Sequence, residues 1–189
     1  MPDIKILERQ TLAEHHSKLE SIRFEKTQNG ETQNLERVLF HRPPAATILL
    51  YDPNKKTVVL TKQFRLPVYL DNNGQLLEAC AGLLDEGEFP EHAIIREVEE
   101  ETGYRISEIE KIAEGYSSPS TFTEYVHFFV GKYSPDMRIS QGGGLKDEGE
   151  HIQVLEFTGD EIRHKLRSNE IKDVKTILLL QHALLNNLI

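Results

Sequence analysis

Hydrophobic and polar positions alternate imperfectly over residues 1–42, a pattern that favours β-structure. The alternation is clearest over Lys18–Lys26 and Thr32–Phe40, and the Asn29-Gly30 pair between these runs is a strong signal for a hairpin turn. A hairpin alone is barely stable in water. We therefore expect residues 1–42 to form a small antiparallel sheet that packs on its own domain or on a partner subunit.

After Pro43-Pro44, apolar runs alternate with amphipathic segments. Ala45–Tyr51 is almost continuously apolar, which is typical of a strand buried on both faces. The further predicted strands are Thr57–Arg65, Leu76–Ala81, Lys111–Tyr116, Glu124–Tyr133 and Ile152–Phe157. Turns or loops are predicted at Asp71–Gly74 and Ser134–Glu150, and helices at Gly159–Ser168, at Asp173–Asn187 and from Pro90 to Gly103. Because strands and helices alternate without a repeat, residues 43–189 are predicted to form an α/β domain with a mixed sheet.

Composition and the apolar segments of the chain indicate the cellular location of the protein. The chain has 189 residues, of which 38% are hydrophobic, and fits one domain with a small appendage. Its N-terminus lacks a signal peptide, and no apolar run approaches the roughly 20 residues that span a bilayer. The single cysteine, Cys80, has apolar neighbours and is expected to be a packed thiol. We expect a cytoplasmic protein that does not bind membranes.

The net charge of −9 argues against a nucleic-acid-binding protein, which would carry a basic face. An anionic substrate would be repelled by the same charge. Cations held by acidic side chains, together with a few arginines, would remove that repulsion.

The predicted helix after Pro90 is strongly acidic. Glu97, Glu100 and Glu101 are spaced so that three carboxylates share one face, and like charges at this spacing destabilise a helix. Carboxylate oxygens on a rigid element are suitable ligands for a hard divalent cation such as Mg²⁺ or Mn²⁺. A solvated acidic face is the ordinary alternative for such a run.

The stretch from Gly82 to Tyr104 favours the metal site. It fits Gly-x5-Glu-x7-Arg-Glu-U-x-Glu-Glu-x-Gly-U, where U is a bulky apolar residue and the last U is Tyr104. This pattern resembles the signature of the Nudix hydrolases, and a chance match is rarer than about one in 10⁸ per start position. The resemblance implies a Nudix-type α/β/α sandwich and a Mg²⁺-dependent hydrolase, with Mn²⁺ as the alternative metal.

Further segments resemble one branch of that family, the GDP-mannose pyrophosphatases. They are Ala46–Tyr51, Lys62–Arg65, Glu78–Leu84, Tyr125–Phe129, Gly142–Gly144 and Lys175–Leu180. The resemblance implies hydrolysis of GDP-mannose to GMP and mannose 1-phosphate, by a homodimer whose N-terminal sheets contribute to the partner's active site. An ADP-ribose pyrophosphatase is one alternative. A non-catalytic nucleotide-sugar sensor is another, which the three helix glutamates disfavour.

The resemblance also implies roles for single residues. The predicted metal ligands are Glu97, Glu101, Glu150 and the main-chain carbonyl of Ala81. The predicted catalytic residues are Glu148, Glu100 and Arg96. Arg96 is expected to act mainly by holding the Gly82–Glu88 loop on the helix. Glu148 is the predicted general base, and a shorter-loop alignment would exchange its role with that of Glu150.

The remaining predicted residues contact the substrate. They are Gly82, Arg65, Arg37, Glu36, His16, Glu124 and Lys175. The fork of Arg65 suits a phosphate, although a surface ion pair is the alternative. After Pro119 the chain continues Ser120-Thr121-Phe122, where the family usually has glycine, so the base and sugar preference stay open.

Overall fold

The computed structural model describes residues 1–72, 74–145 and 149–189. The chain divides into two compact units. The first contains Met1–Pro44 and Gly115–Val126, and the second contains Ala45–Glu114 and His127–Ile189. The sequence predicted a division near residue 43 but gave no sign that a central segment belongs to the first unit.

The first unit is built on three antiparallel strands, β1 (Asp3–Glu14), β2 (Lys18–Gln28) and β3 (Glu31–His41). The β2–β3 turn contains Asn29 and Gly30 at φ 53° and 83°, the left-handed pair that a tight hairpin requires. The predicted N-terminal antiparallel sheet is therefore confirmed. The sequence missed β1, whose residues are exposed along its whole length, so that neither face carries a consistent apolar pattern.

The second segment of the first unit, Gly115–Val126, is hydrogen-bonded to the end of β3. The Phe40 N–H donates to the Thr121 carbonyl at 2.8 Å, and the Thr123 N–H donates to the Phe40 carbonyl at 3.2 Å. The rings of Phe40 and Phe122 meet edge to face at 5.6 Å. These contacts fix the loop that follows Pro119.

The second sheet has seven strands. They are β4 (Ala45–Asp52), β5 (Thr57–Gln63), β6 (Leu76–Glu78), β7 (Cys80–Leu83), β8 (Ile109–Tyr116), β9 (Tyr125–Lys132) and β10 (Gln153–Thr158). The order is β10-β5-β4-β9-β8, with β6 paired to β5 and β7 paired to β4. All eight residues of β4 are buried, as its apolar run predicted.

In the described part of the chain, four α-helices accompany this sheet: α1 (Leu66–Asn72), α2 (Pro90–Thr102), α3 (Gly159–Arg167) and α4 (Val174–Leu185). The last three were predicted. The prediction of a turn at Asp71–Gly74 is wrong for Asp71 and Asn72, which end α1, and Asn73 lies outside the described residues. Helix α1 has only seven residues and buries none of them, so Leu66, Tyr69 and Leu70, although spaced i, i+3 and i+4, form too short a pattern to reveal a helix.

The core of the second unit lies between α2 and the sheet. Its buried members are Ala46, Ile48, Leu50, Val59, Cys80, Ile94, Val98, Tyr104, Ile106, Phe129 and Tyr133. The predicted α/β class is confirmed, and Cys80 is a free, buried thiol. None of the described helices is long and apolar enough to cross a membrane, and the cytoplasmic location stays a prediction.

Candidate active site

The acidic residues of α2 lie beside its buried stripe. At about 100° per residue, Glu101 falls between Glu97 and Ile94 in projection, and Val98 lies just beyond. Ile94 and Val98 are fully buried in the core, so the same packing covers Glu101, of which only 2% is exposed. The acidic face is therefore only partly solvated, and the ordinary alternative of a water-exposed charged face does not hold for Glu101.

Glu101 is a buried carboxylate with little to balance it. Its pKa is raised to about 8, mainly by burial and also by the charges of Glu97, Glu78 and Glu150, against the lowering effect of a hydrogen bond from the Cys80 thiol. Within the described part of the chain, its Oε2 atom has no hydrogen-bond partner. A buried, unpaired polar atom destabilises a fold unless something else binds it. This oxygen fits a divalent cation.

Glu97 lies next to Glu101 on the same face and is also mostly covered. Its pKa is raised to about 6, mainly by burial, although Arg96 lowers it; the charges of Glu100 and Glu150 contribute to the rise. A Cβ atom at Gly82 would overlap the Glu97 carboxyl, so the glycine leaves the room that this carboxyl occupies. Ala81 precedes Gly82 in β7, which pairs with β4 and packs against α2.

Arg96 joins the loop before α2 to the acidic face. Its Nη2 atom donates to Glu88 at 3.2 Å, and its Nη1 atom donates to Glu97 at 2.9 Å and to Glu100 at 3.2 Å. These bonds agree with the expectation that Arg96 holds the Gly82–Glu88 loop on the helix. One guanidinium shared by three glutamates leaves an excess of negative charge beside Glu101. The catalytic roles of Arg96 and Glu100 stay predictions.

Glu150 in the late loop contributes to the same electrostatic environment. Its Oε2 atom accepts a hydrogen bond from the Leu145 N–H at 2.9 Å, and its charge raises the pKa of both Glu97 and Glu101. Across residues 1–72, 74–145 and 149–189, no three His, Cys, Asp or Glu side chains already form a metal-binding group. Glu97 and Glu100 bind Arg96 instead. The predicted base, Glu148, lies outside the described residues.

A second charged network surrounds Arg65, the predicted phosphate-binding residue. Its Nε atom donates to Glu78 at 2.8 Å, and Glu78 is only 3% exposed. Burial raises the pKa of Glu78, while Arg65 and then Lys175 lower it. Lys175 in turn donates to Asp173, the N-cap of α4, at 2.7 Å. Arg65 therefore has an ion pair, but with a buried partner and not a surface one.

Glu78 was not among the site residues predicted from the sequence. The available signal was one charged residue inside the apolar segment Leu76–Ala81, a position where a carboxylate requires a partner. Without the fold, nothing identified Arg65 as that partner.

Four predicted substrate residues belong to the first unit. The Glu36 carboxylate accepts from Ser21 at 2.6 Å, and the Arg37 side chain donates to the Glu36 carbonyl at 2.7 Å. The Glu124 carboxylate lies 3.7 Å from Arg42. The fourth residue, His16, has its ring 4.2 Å from that of His15. Their contact with substrate stays a prediction.

The sequence model of the NUDIX domain matches residues 41–179. The chain belongs to the Nudix family. It is 44% identical to a GDP-mannose pyrophosphatase of Pectobacterium atrosepticum over 185 residues, which cover 96% of this chain and 94% of that protein. It is 41% identical to a GDP-mannose pyrophosphatase of Escherichia coli O157:H7 over 189 residues, covering 98% of this chain and 97% of that protein.

A solved structure described as an ADP compounds hydrolase has the same fold. The TM-score is 0.72 at 22% identity, with 95% of this chain and 90% of that chain covered. The likeness at this identity concerns the fold alone. Together, the domain match and the relatives make this Nudix protein a hydrolase, as predicted, and hydrolases of the family generally need a divalent metal ion.

Proposed function

We propose that this Nudix protein hydrolyses the diphosphate bond of GDP-mannose to GMP and mannose 1-phosphate, with Mg²⁺ as its metal. Support for the substrate comes from relatives of that name that match almost the whole chain at 41–44% identity. The observation that carries a metal-dependent reaction is Glu101, a buried carboxylate with a free oxygen beside an excess of negative charge.

The residues that would hold Mg²⁺ are Glu97, Glu101, Glu150 and the main-chain carbonyl of Ala81. A bound divalent ion would offset the charge of the diphosphate and lower the pKa of a water molecule. All four are oxygen donors, the type that Mg²⁺ prefers.

Around the metal, the side chains have separate tasks in this proposal. Arg65 and Lys175 bind the negative charge of the substrate, and the planar fork of Arg65 matches two phosphate oxygens. Glu148 takes the proton of the attacking water as general base. If the shorter-loop alignment is correct, Glu150 has this role and Glu148 binds metal.

The proposal includes a homodimer with shared active sites. Support comes from β1, the edge strand of its sheet, where Ile4, Ile6, Leu7 and Leu12 are all exposed. Unpaired edge strands with apolar side chains are ordinarily covered by another chain. Removal of residues 1–42 is expected to give an inactive monomer or an aggregate, measured by light scattering after size exclusion. A folded, fully active truncated protein would contradict the shared site.

A turnover screen tests the substrate. GDP-mannose, ADP-ribose, GDP-glucose and NADH are each incubated with the protein and Mg²⁺, and kcat/KM is measured. We expect the highest value for GDP-mannose. A higher value for ADP-ribose would favour the alternative activity. Binding of GDP-mannose without turnover of any compound would favour the sensor.

A further inference from the structure

The three consecutive glycines of the late loop bind the end of the acidic helix. Gly142, Gly143 and Gly144 all have left-handed φ values, 66°, 113° and 75°. The Gly143 N–H donates to the Glu101 carbonyl at 2.9 Å, and the Gly144 N–H donates to the Glu100 carbonyl at 3.1 Å. These bonds satisfy carbonyls that the last turn of a helix leaves free. The main chain at Gly144 is therefore fixed relative to α2.

Glu150 lies directly against this fixed main chain. A Cβ atom at Gly144 would overlap the Glu150 Oε2 atom and would lie 2.8 Å from the Glu150 Cβ atom. The next N–H, that of Leu145, donates to the same Oε2 atom at 2.9 Å. The Glu150 N–H also donates back to the Leu145 carbonyl at 3.2 Å. The Glu150 carboxylate thus occupies the space that a side chain at Gly144 would fill.

The same arrangement occurs at a second predicted metal ligand, Glu97. The missing side chain of Gly82 leaves room for the Glu97 carboxyl, just as that of Gly144 leaves room for Glu150. Gly82 is part of the Nudix signature, whereas Gly144 lies 40 residues beyond the signature's last residue, Tyr104.

We propose that Gly144 is a positioning residue for the metal site, whose missing side chain sets where the Glu150 carboxylate lies relative to α2. The inference rests on the proposed function, in which Glu150 binds metal. Main-chain hydrogen bonds lead from Glu100 through Gly144 and Leu145 to the Glu150 carboxylate. An added methyl group displaces the flexible carboxylate, and it also lies 2.8 Å from the Glu150 Cβ atom and 2.9 Å from the Ile152 Cδ1 atom, so the loop around Glu150 adjusts locally as well.

The test compares two glycine variants. Gly144→Ala introduces the overlap with Glu150. Gly149→Ala is the matched control, because Gly149 has nearly the same φ, 74°, but no atom of the described residues lies within 4 Å of an added Cβ atom. Both variants carry a similar left-handed backbone strain, and Gly144→Ala adds close contacts with Glu150 and Ile152, so its thermal midpoint should fall at least as far as that of Gly149→Ala.

Affinity for Mn²⁺ alone, measured by electron paramagnetic resonance, is the readout. We expect Gly144→Ala to weaken Mn²⁺ binding at least about tenfold and Gly149→Ala to stay within about twofold of the parent, since displaced supporting groups cost 10–100-fold in metal affinity. Equal affinities in the two variants would overturn the proposal.

Glu150→Gln separates this inference from the proposed function. If Glu150→Gln leaves Mn²⁺ affinity unchanged, Glu150 is not a ligand and the metal assignment itself fails. If Glu150→Gln weakens binding, adding Gly144→Ala to it should have no further effect, because the two changes act through one carboxylate. If the double variant loses as much additional Mn²⁺ affinity as Gly144→Ala loses alone, Gly144 acts through a group other than the Glu150 carboxylate.

Glu150→Asp keeps the test decisive if Gly144→Ala fails to fold. The aspartate retains the charge but is one methylene shorter, so it cannot reach the position beside the Gly144–Leu145 main chain. We expect Mn²⁺ affinity to fall about as far as in Glu150→Gln. Parent-like affinity would show that the position of the carboxylate is not important, and the proposal would be wrong.

Discussion

One buried glutamate of the first unit and one of the second are covered to the same extent but have opposite electrostatics. Glu20 in the first unit and Glu101 in the second are each 2% exposed. Glu20 accepts from Lys18 at 2.7 Å, from His41 at 3.0 Å and from Arg9 at 3.3 Å, and the bond from Lys18 is the main cause of its lowered pKa. Burial instead raises the pKa of Glu101 to about 8.

The difference lies in where the balancing charge comes from. The partners of Glu20 come from all three strands, β1, β2 and β3, so this carboxylate holds one sheet together. Beside Glu101, the nearby guanidinium of Arg96 is already bound by Glu88, Glu97 and Glu100. A buried charge without a partner destabilises the folded chain. We infer that Glu20 is structural and that Glu101 is retained for a cation from outside the chain.

Glu101→Gln should have the largest effect of the variants considered for this comparison. Turnover of GDP-mannose with Mg²⁺ is expected to fall at least about a hundredfold, because the metal loses a charged ligand. The thermal midpoint in EDTA should stay the same or rise, since a neutral amide is less costly to bury than an unpaired carboxylate. Full activity would contradict the metal site, and loss of the folded state would make Glu101 structural, as Glu20 is.

Glu78→Gln tests an intermediate case, a buried carboxylate with Arg65 as its partner. The amide still fills the space but no longer holds the guanidinium by charge. We expect KM for GDP-mannose to rise about tenfold with a smaller change in kcat, because in the proposed function Arg65 binds substrate and takes no part in proton transfer. Steady-state kinetics measure both constants. A fall in kcat at constant KM would point to a different role for Glu78.

Stability should depend on pH through Glu101 in a direction opposite to that of Glu20. Since the folded-state pKa of Glu101 is raised from 4.5 to about 8, the folded chain holds a proton that the unfolded chain releases, and stability falls as the pH rises through this window. Glu97, with a pKa of about 6, adds to the loss of stability in the lower part of this pH range. The pKa of Glu20 is lowered, so its contribution is lost as the pH falls below about 4.5.

Thermal midpoints in EDTA between pH 5 and pH 8 measure this dependence. The expected loss is at most about 1.4 kcal/mol per pH unit for each group. Glu101→Gln should flatten the profile, and saturating Mg²⁺ should remove it because the metal binds the ionised form. A midpoint that rises with pH in EDTA would contradict the unpaired state of Glu101.

Glu20→Gln should have the smallest effect on function. The variant leaves the cations Lys18 and Arg9, and the His41 ring, facing a neutral amide, so the thermal midpoint is expected to fall by a few degrees. The Mg²⁺ concentration for half-maximal activity should not change, because Glu20 has its own partners and no metal. A shift in that concentration would contradict the division between the two glutamates.

Much of the secondary structure could be predicted from short patterns of residue types in the sequence. The apolar run of β4, the Asn29-Gly30 turn, and the start and end of α2 at Pro90 and Gly103 are each encoded within a few residues. Strand β1 and helix α1 were not predicted as separate elements, because neither buries a face and neither carries a long, regular apolar pattern.

The sequence by itself determined the family, the acidic helix and the identity of the candidate ligands, since these depend on residue type and on short fixed spacings. Only the tertiary structure decided which carboxylates have partners. Glu78 meets Arg65, Glu101 meets the Cys80 thiol and has a free oxygen, and Glu150 rests on the main chain of Gly144. Burial and ion pairing are properties of residues brought together by folding, and no spacing along the chain specifies them.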